Sequence, residues 1–164
     1  MRKLTRLLAG ILAATGLAVA GSTPSAQPAS ATGTAWSAPR IEYYDPQCGA
    51  GQTTIDVYSG GYRGTLLCGT TVTNVYWTDG AVTRQHTFVI SPGRSAWNAV
   101  HQYRGATTIA ATGWKSLGGA NLTSSINVTN IPSPGTIDLE GGTTTGGLFC
   151  QRLRNNAWSG WFAC

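Results

Sequence analysis

The feature that most constrains this chain is its punctuation. Asp45-Pro46, Gly60-Gly61, Asp79-Gly80, Pro92-Gly93, Arg104-Gly105 and Gly118-Gly119 interrupt it every dozen or so residues, and pairs of this kind mark turns. The intervals between them carry Val, Ile, Thr and aromatic residues in alternation with polar ones, the period of a half-buried strand, and no helical period stands out. Strands are expected at 40–44, 53–58, 64–68, 70–77, 81–90, 95–103, 106–114, 121–128 and 136–140. The clearest hairpin joins 70–77 to 81–90 through Asp79-Gly80, a pair suited to a type I′ turn. Nine or ten such strands make the chain all-β. The expected architecture is a single-domain antiparallel β-sandwich over 40–164, Ig-like or small-barrel-like, with two disulfides.

The first thirty-one residues read as a secretory signal peptide. Arg2, Lys3 and Arg6 precede an uncharged run over 7–20, and small residues follow in two frames, Ala18-Val19-Ala20 and Ala29-Ser30-Ala31. Cleavage is expected after Ala31, or alternatively after Ala20. The run is short of the roughly 20 residues that span a bilayer. No cysteine follows the small-residue box, which excludes a lipoprotein anchor, and no adjacent arginines mark a twin-arginine leader. The sequence therefore predicts Sec-type export by a bacterium, with a flexible segment at 32–39 in which Trp36 either packs back or docks on a partner.

The leader also alters the charge argument. Of the +5 carried by the whole chain, three charges belong to the leader; from residue 32 onward eight basic side chains face six acidic ones, a net charge of +2. The basic residues are scattered, apart from Arg152 and Arg154, so the basic stripe of a nucleic-acid binder is missing. Four cysteines in an exported chain point to disulfides. The local pairings Cys48 with Cys68 and Cys150 with Cys164 each bracket a hairpin-sized segment. Zinc is not expected, since there is no Cys-x-x-Cys pair and only His86 and His101 remain as partners. No other metal or cofactor is implied.

Catalytic signals are thin. His86, His101 and many serines are present, yet none falls in a nucleophile motif, and no Gly-x-Ser-x-Gly elbow occurs. Asp138 and Glu140 form the one tight acidic pair within a strand and share a face opposite Ile137 and Leu139, which reads as a solvated outer face. Asn121 and Asn127 begin glycosylation sequons but read here as strand residues. If Cys150 faces Cys164 across a hairpin, the loop centres on Ala157. A two-residue Asn155-Asn156 turn would instead need a bulge near Gly160.

Binding signals are stronger. Six tryptophans occur, and Trp and Tyr serve as interface anchors and sugar platforms. Trp158 and Trp161, in a Cys-bounded loop, and Tyr62 with Arg63, framed by glycines, are the candidate binding residues, with Trp36 in the N-terminal segment. Over 68–93, less than a fifth of the chain, Thr70-Thr71-Val72-Thr73, Thr78-Asp79-Gly80 and Val89-Ile90-Ser91-Pro92-Gly93 resemble the tendamistat-type amylase inhibitors. Those are small secreted β-sandwiches with two disulfides. Their Trp-Arg-Tyr contact triplet would fall at Gly61-Tyr62-Arg63-Gly64, and the second cysteine pair here is placed differently, so the resemblance adds inhibition to the functions in view and assigns no family. The sequence predicts a secreted, non-enzymatic protein-binding module, an inhibitor or an adaptor in a larger extracellular assembly such as a toxin particle. The alternatives are a carbohydrate or cell-wall binding module and a small hydrolase. The expected partner is another extracellular protein or a polysaccharide, with no nucleic acid and no membrane anchor.

Overall fold

Turn residues fall between short extended segments along the whole of the structure, a computed structural model that describes residues 36–164. The leader, both of its cleavage frames and residues 32–35 lie outside the described residues. Within them every helical or strand element is a strand: β1 (Arg40–Tyr44), β2 (Thr54–Ser59), β3 (Tyr62–Leu67), β4 (Val72–Asp79), β5 (Val82–Ile90), β6 (Ala96–Arg104), β7 (Thr107–Gly118), β8 (Asn127–Asn130), β9 (Ile137–Gly142), β10 (Leu148–Arg154), β11 (Ala157–Trp158) and β12 (Phe162–Ala163). All pairings are antiparallel. One sheet runs β1-β4-β5-β6-β7, a second runs β11-β10-β9-β8 with β12 also on β10, and β2 and β3 form a separate hairpin. Neither large sheet closes on itself, so the sandwich holds and the barrel does not. No helix among the described residues is long and apolar enough to cross a membrane.

The central sheet is covered on both faces. Val75, Trp77, Phe88 and Ile90 point to one side and pack with Leu122, Ile126, Ile137, Leu139 and Leu153 of the second sheet and its connections. Val72 and Val89 point to the other side and pack with Val57 and Leu66 of the hairpin, flanked by Trp97 and Trp114. Double coverage explains the burial of five consecutive residues in β5, His86 to Ile90. A strand buried on both faces loses the alternation that a half-buried one shows.

Local turn chemistry sets the register. Gly60 and Gly61 both take positive φ (56° and 85°) and close the β2–β3 hairpin in two residues. The β4–β5 loop is Gly80-Ala81, one position later than expected, because Asp79 still pairs with Val82. Only Gly80 there has positive φ, at 59°, the pattern of a type II′ turn rather than the expected type I′. Asn155 and Asn156, at 52° and 61°, make the two-residue turn from β10 to β11. Leu153 pairs with Trp158 but Cys150 pairs with Phe162, so one extra residue enters between them around Gly160. Of the two registers weighed for this hairpin, the short turn with a bulge is the one adopted.

Both expected disulfides form, Cys48–Cys68 and Cys150–Cys164, with Cα atoms 6.1 and 5.2 Å apart. They close loops of a size that stabilises a fold by about 3 kcal/mol each through the unfolded chain, and such bonds persist in an oxidising environment. The segment 121–126 is not the expected strand: it is irregular, tied by a single bridge from Leu122 to Thr143, and Asn121 has φ 59°. Its alternation still predicts burial, since Leu122, Ile126 and Val128 are all in the core.

Candidate functional site

A bulge divides the work of β7 between two faces. Asn98 pairs with Lys115 and Val100 with Thr112, so Gly113 and Trp114 together stand opposite Ala99 alone. The extra residue flips the alternation. Thr112 and Lys115 line a cleft between the two sheets, while Trp114 packs under the hairpin and donates its indole N–H to the Tyr62 carbonyl, 3.2 Å away. The approach is so close that a Cβ on Gly64 would lie 2.5 Å from the Trp114 ring.

The cleft has a volume of about 570 Å³, within the range of small-molecule sites. Arg84 and His86 enter it from β5, Asn98 and Gln102 from β6, and Gln151 and Trp158 from the second sheet. Most of its lining residues are polar, interspersed with Val100, Leu117, Leu153 and Trp158 from the margin of the core. Gln151 is only 2% exposed. Its amide nitrogen donates to the carbonyls of Ser159 (2.7 Å) and Leu117 (3.1 Å), which fixes the amide orientation. Its oxygen Oε1 is buried with no partner in the protein. His86 Nδ1 and Arg84 Nε are in the same condition, so three of the five such atoms among the described residues belong to residues that line this one cleft, although the atoms themselves are buried behind its wall. Buried polar atoms without partners are rare, because each costs about 1–3 kcal/mol.

The His86 ring stacks between Trp77 (5.1 Å) and Phe88 (6.0 Å). Burial pushes its pKa from 6.5 down to about 4, with a hydrogen bond to the Asn98 side chain acting in the opposite sense and the Arg84 charge adding to the depression. The ring is therefore neutral near pH 7. Every charged side chain of the cleft at that pH is a cation, Arg84 or Lys115. The carboxylates in ion pairs lie elsewhere: Glu42 holds Arg40, Asp56 holds Arg63, and Asp138 holds both Arg152 and Arg154.

The opposite face of the central sheet carries a smaller and more apolar groove of about 370 Å³, walled by Val89, Pro92, Trp97 and Trp114 with Arg63 at its rim. Buried and half-buried polar side chains on this face satisfy one another. Ser59 Oγ and Thr87 Oγ1 are 3.0 Å apart, Thr87 Oγ1 donates to Asn74 Oδ1 at 2.8 Å, and Gln85 Nε2 donates to both Asn74 and Thr87.

The expected binding residues are dispersed. Trp158 borders the polar cleft and meets Phe88 edge-on, with ring centroids 5.8 Å apart. Trp161 is half-buried against the core and donates its indole N–H to the Leu117 carbonyl at 3.0 Å. Trp36 packs back onto the same core, and Ser37 exchanges two hydrogen bonds with Thr78. Tyr62 (46% exposed) and Arg63 stand at the far end of the molecule's hairpin, with Arg63 paired to Asp56 at 3.0 Å. None of the six tryptophans is exposed. His101 lies against Tyr103 and bonds Thr108 Oγ1 at 2.8 Å. Among the described residues no three His, Cys, Asp or Glu side chains are grouped to hold a metal ion. Arg84, His86, Asn98, Lys115 and Gln151 were not singled out by sequence as binding residues. The available signal was the phase of Arg84 and His86, which alternate in step with the core residues Phe88 and Ile90. Comparisons with protein-family models, with curated proteins and with solved structures found no match.

Proposed function

We propose that the protein is an exported, non-enzymatic binding module whose ligand is a glycan seated in the polar cleft. The observation that carries this reading is a cleft of about 570 Å³ whose lining sets the polar side chains of Gln102, Thr112, Ser116 and Ser159 beside the indole of Trp158. The amide of Gln102 and the hydroxyls of Thr112, Ser116 and Ser159 supply donors and acceptors that match sugar hydroxyls, and the half-buried Trp158 supplies an apolar edge for a sugar ring. The leader and the two disulfides support an extracellular setting, where polysaccharides are available. A retention assay of the full chain on immobilised cell-wall polysaccharides tests it. The wild type is expected to be held on at least one polysaccharide and the Trp158→Ala variant to be released at least tenfold more readily. Passage of the wild type through every column overturns the reading.

A second reading, a protein-binding inhibitor or adaptor, draws on the hairpin tip. Tyr58 is 68% exposed and Tyr62 46% exposed beside the apolar groove, and exposed tyrosines anchor protein interfaces. Capture of one stoichiometric partner from culture supernatant, lost in a Tyr58→Ala/Tyr62→Ala double variant but kept in Trp158→Ala, is the outcome that favours it over the glycan reading.

A further inference from the structure

We infer that β1 is an interface between two copies of this chain, which pair antiparallel along its free edge and so join their five-stranded sheets. The inference stands apart from the glycan reading. β1 is bonded to β4 on one side only, in unbroken register from Arg40 opposite Tyr76 to Tyr44 opposite Val72. All five of its residues are exposed. It carries Ile41, Tyr43 and Tyr44, three of the eight large apolar side chains exposed among the described residues. A regular edge leaves a row of backbone N–H and C=O groups open to another strand. The other edges of the two large sheets are blunted. β7 is broken by three register shifts. β8 has four residues and one shift, and its Val128 N–H donates to the Tyr43 hydroxyl at 3.5 Å. β11 has two residues. Bulges and short lengths are ways in which sheets discourage edge pairing.

Charge selects the occupant and the register. On one face of β1, Arg40 and Glu42 hold each other at 3.1 Å while both stay exposed. In an antiparallel pair related by a two-fold axis perpendicular to the sheet, the residue on the axis faces its own copy and its neighbours face across it. An axis through Arg40 or through Glu42 sets like charges opposite, which destabilises a sheet. An axis through Ile41 sets Arg40 opposite Glu42 of the second copy, twice, and merges the two in-strand pairs into a ring of four alternating charges. On the other face the same axis sets Ile41 against its copy and Tyr43 against Pro39, an apolar row. The strand is complementary to itself in this one register. A pairing of five residues is smaller than the roughly 1,200–2,000 Å² of a stable interface, so the dimer is expected to be weak, with a dissociation constant in the upper micromolar range. β1 lies at the opposite edge of its sheet from β7, so both polar clefts stay open and the dimer presents two of them to a polymeric ligand.

Sedimentation equilibrium of the full chain from about 10 μM to 1 mM, a range suited to small transient interfaces, tests the pairing. The wild-type mass is expected to rise toward twice the monomer value. Arg40→Glu alone and Glu42→Arg alone each set like charges opposite, and each is expected to weaken association about tenfold or more. An equimolar mixture of the two variants sets opposite charges opposite again while both in-strand pairs stay broken, and it is expected to recover the wild-type mass. Hydrogen exchange on the wild type needs no variant: the amides of 40–44 are expected to exchange more slowly at the higher concentration and those of β7 at an unchanged rate. A monomeric mass throughout overturns the inference and leaves the edge to a strand of another protein. Association that both single variants retain, or that protects β7 in place of β1, overturns it by moving the contact elsewhere. Either result leaves the glycan reading untouched, since that reading is tested by retention on polysaccharide.

Discussion

The two faces of the central sheet bury polar side chains in opposite ways. On the hairpin face Ser59, Asn74, Gln85 and Thr87 pair among themselves. On the face toward the second sheet Arg84, His86 and Gln151 keep buried atoms with no partner in the protein. The same strand, β5, supplies both sets, one residue apart. The difference teaches where the fold gains stability and where it forgoes it. A self-satisfied network stiffens a fold, whereas an unsatisfied one carries a cost that no contact in the protein offsets.

The largest expected effect tests whether the hairpin is a true third layer. Leu66, on the inner face of the hairpin, is fully buried against the sheet, so Leu66→Ala is expected to destabilise the fold by about 3–5 kcal/mol in chemical denaturation. A cost below about 1 kcal/mol, the size of an ordinary surface substitution's effect, would mean that the hairpin peels away freely and that the central sheet has only one covered face.

The next effect belongs to His86. Its folded pKa of about 4 lies below the 6.5 of the unfolded chain, so below pH 6.5 the unfolded state binds the proton first. The stabilisation is complete above pH 6.5 and is lost as pH falls toward 4, amounting to about 3 kcal/mol. Denaturation midpoints measured across that range should fall steeply for the wild type and less steeply for His86→Leu. Parallel profiles for the two proteins would place the acid sensitivity elsewhere.

The smallest effect sharpens the contrast between paired and unpaired groups. Thr87→Val removes a hydroxyl bonded to Ser59, Asn74 and Gln85 and is expected to cost about 1 kcal/mol. Arg84→Met removes a group whose Nε is buried with no protein partner, and is expected to raise stability by about 1 kcal/mol. Thermal melts of the two variants side by side check this, and a costlier Arg84 substitution would show that the cleft is held together by contacts of its own.

Much of the fold was legible because short-range signals decide it. Turn pairs placed the β4–β5 hairpin to within one residue, and cysteine spacing gave both disulfides. The third layer was less legible. Gly60-Gly61 and Gly64 read as a device to present Tyr62 and Arg63, whereas Gly64 is small so that Trp114 can lie against the hairpin backbone. Nothing local announces the bulge at Gly113-Trp114, which decides that Trp114 faces the hairpin and Lys115 the cleft. The cleft itself joins residues more than sixty positions apart, from Arg84 to Gln151. Its only trace in sequence is that polar residues occupy core-phase positions of β5. The same long-range placement explains why the tryptophans misled: Trp161 and Trp36 complete the core, and of the five expected binding residues only Trp158 borders the cleft.

Occupation of the polar cleft by a glycan is the central claim. Nitrogen-15 correlation spectra of the labelled full chain, recorded during titration with a soluble oligosaccharide of the retained polysaccharide, read the side-chain amide of Gln151, the His86 ring and the indoles of Trp158 and Trp114 at once. The account predicts saturable shifts at Gln151, His86 and Trp158 with the Trp114 indole unmoved. Shifts confined to Trp114 and the hairpin, or no shifts at any of these groups, would contradict it.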